Sequence, residues 1–239
     1  MTANFRKVYH DARLIVLDKP SGLPAVPGRG EDKLDSLSRR VQAEYPSACV
    51  VHRLDWATSG LLVMALDIDA ARELGRQFEA RTVTKVYTAV VRGDPADAGT
   101  ISLPLRKDFE RPPRHCVDRI QGREAITDWR VVARRGDRTR VELIPHTGRS
   151  HQLRVHLAWL GCPIVGDPLY GRAARRPGGR MWLHAARLAL EAAVVADVGI
   201  LAGAEVAPGV VHARPRLRAP VVEAAGPVLA GAVPARPAA

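Results

Sequence analysis

Two short polar runs hold the residue types that can do chemistry. The first, His52-Arg53-Leu54-Asp55-Trp56-Ala57-Thr58-Ser59-Gly60, sets one carboxylate between the apolar runs Cys49-Val50-Val51 and Leu61-Leu62-Val63-Met64-Ala65-Leu66. Both apolar runs read as buried strands. A carboxylate in that frame is costly unless a cation pairs with it. Taken alone, Asp55 is most simply a turn residue bonding its own loop with Thr58 and Ser59. Ionised and partly desolvated, the same group can serve as nucleophile or base.

The second run is His146-Thr147-Gly148-Arg149-Ser150-His151-Gln152-Leu153-Arg154-Val155-His156. Arg154 is a natural partner for a buried carboxylate and would keep it ionised. His146, His151 and His156 recur every five residues, a rotation of about 500° on a helix, so they do not share a face. A zinc-binding helix spaces its histidines at i and i+4; capping or core hydrogen bonding is expected here, and no metal. Tyr87 reads as a packing residue of a half-buried strand, and Lys85, two residues earlier on the same face, hints at a polar cleft. Lys19-Pro20-Ser21-Gly22 lacks the spacing of a phosphate-binding loop, so no nucleotide cofactor is expected.

The elements that must position these groups follow from periodicity. Residues 8–18 read as a strand pair turning near Asp11, followed by a Gly/Pro-rich loop through Gly30. Leu34, Leu37, Val41 and Tyr45 have helical spacing, and Pro46 stops that helix. Asp69 is the expected N-cap of a helix carrying Ala71, Leu74 and Phe78 on one face. Residues 85–92 form a strand, and residues 129–132 and 140–144 a hairpin around Gly136-Asp137. Leu153, Leu157 and Leu160 mark a further helix, capped by Ser150 or Thr147, left through Gly161 and stopped by Pro163. Residues 182–190 read as one more strand or a short helix. Beyond residue 191 the chain is built largely from Ala, Val, Gly and Pro without an aromatic residue, and a weakly ordered segment is expected there.

The formal charge is +11 over 239 residues, and the last 49 residues are balanced at four basic and four acidic side chains. The whole excess therefore lies in residues 1–190, a folded body that should attract polyanions, nucleic acid first. Three cysteines without metal-ligand spacing, no apolar leader and no membrane-length apolar run point to a cytoplasmic protein.

The motifs themselves resemble one family. Leu17-Asp18-Lys19-Pro20-Ser21-Gly22-Leu23, the run around Asp55, Lys85-Val86-Tyr87, the run from His146 to His156, and Gly161-Cys162-Pro163-Ile164-Val165-Gly166-Asp167 are similar, in order, to the RluA-type pseudouridine synthases. The resemblance covers about residues 8–190 and implies an α+β fold: a single catalytic domain over residues 1–190, with a long mixed, mainly antiparallel sheet and flanking helices around one cleft. Residues 191–239 depart from the family pattern, lacking its final strand motif.

The resemblance also implies a cofactor-free, metal-free isomerase acting on uridines of large-subunit rRNA or of the tRNA anticodon loop, and a monomer. Asp55 matches its catalytic aspartate, Tyr87 the tyrosine packed on the uracil and a candidate for handling the C5 proton, and Arg154 the arginine paired with the aspartate. Arg53 matches the side chain that fills the gap left by a flipped nucleotide, and Arg149 is assigned to RNA binding. Leu61 and its neighbours would wall the site from water. A non-catalytic basic RNA-binding protein is the competing expectation, disfavoured by the intact Asp55, Tyr87 and Arg154 set.

Overall fold

The computed structural model describes residues 5–28, 34–171, 179–190 and 195–197. Among the described residues, twelve strands and three helices follow one another along the chain. They are β1 (Arg6–His10), β2 (Leu14–Lys19), α1 (Leu37–Glu44), β3 (Cys49–Val50), β4 (Ser59–Ala65), α2 (Ile68–Ala80), β5 (Thr84–Arg92), β6 (Ala98–Ser102), β7 (Leu105–Lys107), β8 (His115–Val117), β9 (Ile126–Arg135), β10 (Arg138–Pro145), α3 (Gln152–Trp159), β11 (Leu183–Ala189) and β12 (Val195–Asp197). The main sheet runs β1-β2-β4-β11-β5-β10-β9-β6, with β3 added on β4 and β12 on β11, while β7 and β8 form a separate two-stranded ribbon. All its pairings are antiparallel except β4 with β11. This is the expected mixed, mainly antiparallel α+β architecture.

The strand β4 shows why the sheet is covered on both sides. All seven of its residues are buried. Successive side chains of a strand point to opposite faces. Leu62 and Met64 pack with Leu37 and Val41 of α1, whereas Leu61 and Val63 pack with Ala70 and Leu74 of α2. Each such side chain contributes about 1.5–3 kcal/mol on burial. A third cluster places Leu153 and Leu157 of α3 against β5, β10 and β11 through Ala89, Val141 and Leu183. Tyr87 packs against both the α1 and the α3 clusters, so it stands at the joint between the two halves.

Several boundaries differ from the sequence expectations for local reasons. Cys49-Val50-Val51 is not a buried strand: β3 is two residues long, Val50 is 37% exposed, and only the run after Asp55 is fully buried. Ser36 rather than Leu34 opens α1, its hydroxyl accepting from Arg39 N. Asp67, not Asp69, caps α2, its Oδ1 accepting from Ala70 N at 2.7 Å, and Asp69 falls in the first turn, where its charge suits the helix N-terminus.

Neither Ser150 nor Thr147 caps α3. Gln152 Oε1 instead accepts from Thr147 Oγ1 (2.7 Å) and Arg149 N (3.0 Å), and its amide donates to Ile126 O and Thr127 Oγ1. Gly161 ends α3 as expected, at φ +80, with Cys162 N bonding Leu157 O and Gly161 N bonding Ala158 O. That pair of bonds is the Schellman exit that favours glycine. Residues 182–190 resolve into β11, and the backbone of Val195–Asp197 extends the sheet beyond residue 190. The weak order expected further on falls at residues 198–239, outside the described residues.

The β4–β11 joint leaves no room for error at Gly60. It lies at φ +111, pairs with Ala185, and an added Cβ would stand 2.4 Å from Ala185 O and 2.6 Å from Ala185 N. Relief would require moving backbone at the one place where the two halves of the sheet meet. Gly22, at φ +88, has open space around the same position. Gly60→Ala should therefore lower the free energy of unfolding by roughly 3 kcal/mol or more, and Gly22→Ala by only about 1 kcal/mol, in urea titrations monitored by circular dichroism.

Candidate active site

Asp55 sits in the loop that enters β4, and α3 carries Arg154 toward it from the other half of the sheet. Arg154 Nη1 donates to Asp55 Oδ2 at 3.1 Å. The remaining face of the same guanidinium is held by a second carboxylate, with Nε to Asp167 Oδ2 at 2.8 Å and Nη2 to Asp167 Oδ1 at 2.9 Å. The side chain of Asp167 is 0% exposed, that of Arg154 4% and that of Asp55 24%. Asp167 also accepts from the backbone N–H groups of Leu169 and Tyr170. The fork therefore binds its inner partner through two bonds and presents one N–H to Asp55. Burial works against both charges, but the bonds and opposite charge between Arg154 and Asp167 outweigh it, holding the carboxyl below and the guanidinium above their ordinary ranges.

The other sequence-predicted residues divide. Tyr87 lies on β5 with Leu143 of β10 on one side and Ala185 of β11 on the other, and Ala185 in turn pairs with Gly60 of β4. The tyrosine thus reaches the joint from which the Asp55 loop departs. Burial first, then the charge of Asp55, pushes its hydroxyl well above the usual phenol range, so it is an O–H and not a phenolate at neutral pH. Leu61 is not part of the wall beside it, being packed toward α2; Leu54 and Leu62 belong to the cluster that Tyr87 joins. Lys85 is turned to other company, its charge acting on His52.

Arg53 is exposed and makes no hydrogen bond or ion pair with any described residue. Arg149 Nε donates to Glu124 O at 2.9 Å. Burial and the charges of Arg123 and Arg81 lower its pKa, marking a crowded basic cluster.

The three histidines of the second run have three destinations. His146 Nε2 meets Asp128 Oδ2 at 2.6 Å on the exposed side of the sheet. His156 is buried between Thr127 Oγ1 and Leu103 O. His151 alone faces the site, with Nε2 3.9 Å from Asp55 Oδ2 and Nδ1 2.8 Å from the hydroxyl of Tyr170.

Sequence reasoning passed over four contributors: Asp167, Tyr170, His115 and Lys19. The Tyr170 ring lies under Arg154, 5.1 Å from its guanidinium carbon, and its oxygen accepts from His115 N at 2.7 Å. The His115 ring meets that of His151 edge-on at 5.0 Å. Lys19 is fully buried, donating to the carbonyls of Pro20, Leu23 and Trp56, and so ties the loop after β2 to the loop of Asp55. Burial pushes its pKa down to about 8 against the pull of Asp55 and Asp18. Asp167 closes the last of the family-like runs but lies in a tight Gly-Asp-Pro stretch after a helix exit, which reads as a turn because its partner lies 13 residues back.

The family described as RNA pseudouridylate synthase matches residues 13–159. The dual-specificity RNA pseudouridine synthase RluA of Yersinia pestis is 47% identical over 186 residues, covering 77% of this chain and 90% of the relative, and that of Escherichia coli K12 is 48% identical, covering 77% and 85%. Among solved structures, human RNA pseudouridylate synthase domain containing 1 superposes with a TM-score of 0.70 at 33% identity, over 84% of this chain and 85% of the human one.

The two carboxylates on Arg154 should respond differently to neutralisation. Removing one member of a fully buried pair costs about 3–5 kcal/mol, whereas a partly exposed pair contributes about 0–1 kcal/mol. Urea unfolding should show Asp167→Asn destabilised by the larger amount and Asp55→Asn within about 1 kcal/mol of wild type. Equal losses would mean that the guanidinium is not anchored from the Asp167 side.

Proposed function

The chain belongs to the RNA pseudouridylate synthase family and is an RNA-modifying isomerase, and from that premise we propose that Asp55 is its reacting carboxylate and that its substrates are uridines of large-subunit rRNA and of a tRNA anticodon loop. The observation that carries the assignment of Asp55 is the one bond it receives, from Arg154 Nη1 at 3.1 Å, on the edge of the guanidinium that Asp167 does not occupy. A carboxylate held by one strong donor is aimed by it while keeping an oxygen for the substrate.

Converting uridine to pseudouridine breaks N1–C1′ and joins C5 to C1′, so the detached base has to be retained while it turns. Asp55 can add to the base, attack C1′ or remove the C2′ proton; each route needs the carboxylate charged and aimed, which is the task assigned to Arg154. Tyr87, packed at the β4–β11 joint, offers a ring against which the uracil can lie and a neutral O–H beside the carboxylate. A base in structured RNA has to leave its stack to reach these groups. Arg53, exposed and uncommitted next to Asp55, is placed to enter the vacated position. The dual substrate range is supported by the names of the bacterial relatives. As the family resemblance implies, the reading takes the enzyme as a monomer; among the described residues no helix is long and apolar enough to cross a membrane, and the RNA substrates fit a cytoplasmic enzyme.

Release of tritium from RNA labelled at uridine C5 tests the assignment. Wild type should release it from tRNA and large-subunit rRNA transcripts, and Asp55→Asn should bind both RNAs yet lose at least about a thousandfold in rate. Equal release by the two proteins would discard Asp55, and release from one RNA alone would reduce the substrate range to that RNA. The basic cluster gives a second test: Arg149→Gln should weaken RNA binding and reduce the slope of log K against log salt by about 1, with the rate at saturating RNA kept.

A further inference from the structure

His151 occupies an unusual position for a residue with no assigned part. It stands at the N-cap of α3 in the left-handed region, at φ 58, and its side chain makes no capping bond. A non-glycine residue there bears strain, and an N-cap that does not cap forgoes a bond ordinarily worth about 1 kcal/mol. What this backbone achieves is to turn the imidazole inward, between Tyr170 and Asp55.

The hydrogen bonds fix which nitrogen carries the proton. Tyr170 oxygen accepts from the backbone N–H of His115 at 2.7 Å, and its own proton needs an acceptor. His151 Nδ1, at 2.8 Å, can take that proton, an arrangement that puts the proton of a neutral imidazole on Nε2. The opposite tautomer would aim the Nε2 lone pair at the charged Oδ2 of Asp55, 3.9 Å away. Burial, with Arg154 and His115 adding to it against Asp55, lowers the His151 pKa to about 4, so the ring is neutral at working pH. An N–H dipole on an uncharged ring can steady a carboxylate without neutralising it, and about one ångström of side-chain movement turns the approach into a hydrogen bond.

We propose that His151, its tautomer fixed by Tyr170, is a positioning residue for Asp55, supplying a second N–H to the carboxylate oxygen that Arg154 also holds. The inference rests on the reading of Asp55 as the reacting group. It gives the carboxylate two donors, one charged from α3 and one neutral from the turn before it, which together fix the rotation of the group about its Cβ–Cγ bond. A donor to an ionised group that tightens during reaction would affect the chemical step more than RNA binding.

Two substitutions separate this role from a structural one. The Gln amide nitrogen falls near the place of imidazole Nε2, whereas that of Asn reaches only the place of Nδ1. The backbone favours the opposite order, because Asn tolerates the left-handed region and caps helices better than Gln. Single-turnover tritium release should find His151→Gln within about threefold of wild type and His151→Asn slower by roughly thirtyfold, with RNA affinity and KM changed less than about twofold and His151→Asn at least as resistant to urea. Tyr170→Phe keeps the ring under Arg154 but removes the oxygen that orients His151, and should slow the same step with the same unchanged affinity; it decides the matter if either His151 variant fails to fold. Equal rates for the two His151 variants, a faster Asn variant, or a loss seen in RNA affinity would overturn the proposal. Asp55→Asn, run alongside, keeps this failure distinct, since an inactive role for Asp55 would appear there whatever His151 does.

Discussion

The guanidinium of Arg154 is shared between two carboxylates of unequal burial, and most of the site follows from that inequality. One positive charge between two negative ones leaves the group with a net negative charge in a largely dry place, which is stable only if the geometry of the inner pair is close to ideal. Asp167 meets that condition with two parallel bonds to the fork and two backbone N–H donors of its own. Because the inner pair is self-sufficient, the outer carboxylate can be reached by substrate without the arginine being set free. A lysine could not divide its contacts in this way, since the division depends on a planar fork with donors on two edges.

The sheet supplies the distance over which this arrangement has to be held. Asp55 belongs to the half built from β1, β2 and β4, and Arg154 and Asp167 to the half around β5, β10 and α3. The halves meet through the parallel pairing of β4 with β11, at Ser59–His184 and Gly60–Ala185. Gly60, without a side chain, lets the two backbones close, and Tyr87 spans the apolar clusters on both sides of the joint. Lys19 performs a comparable task from below the loop, three carbonyl contacts holding its ammonium while its charge also reaches Asp55. The loop of Asp55 is thus anchored at its base by backbone packing and along its length by a buried cation.

What could be read from the sequence divides along the same physical lines. Strands β2, β4, β5, β9 and β10 and the exit of α3 were legible because alternation, β-branched residues and a Gly before Pro are local signals. Helix starts were less so: Asp67 and Asp69 are both good caps by type, and only the bond to Ala70 N separates them. Ser150 and Thr147 likewise do not cap α3: His151 holds that position without a capping bond, and Thr147 is drawn instead to Gln152, whose amide gathers partners from β9 that no window of sequence contains. At the site, Asp55 and Arg154 could be paired because a carboxylate in an apolar frame calls for a cation. Asp167 could not, because a turn aspartate and a buried ion-pair aspartate look alike until the helix that carries Arg154 is folded against the turn.

The protonation states of the surrounding groups restrict what each can do in the reaction. Tyr87 is kept as a phenol by burial and by the nearby charge of Asp55, and Tyr170 is pushed up to about 12 by burial, so neither is a phenolate at neutral pH. A phenol can donate a hydrogen bond to a uracil oxygen, but it can accept the C5 proton only if its own proton leaves at the same time. Arg154 is permanently charged and cannot accept one. In the tautomer proposed for His151, Nδ1 accepts from Tyr170 and the proton on Nε2 faces Asp55. Among Tyr87, Tyr170, Arg154, His151 and Asp55, the carboxylate of Asp55 is therefore the most competent proton acceptor. On that reading it serves the reaction at two stages, first on the sugar or the base and later at C5, and the donors that hold it have to keep one of its oxygens accessible through both.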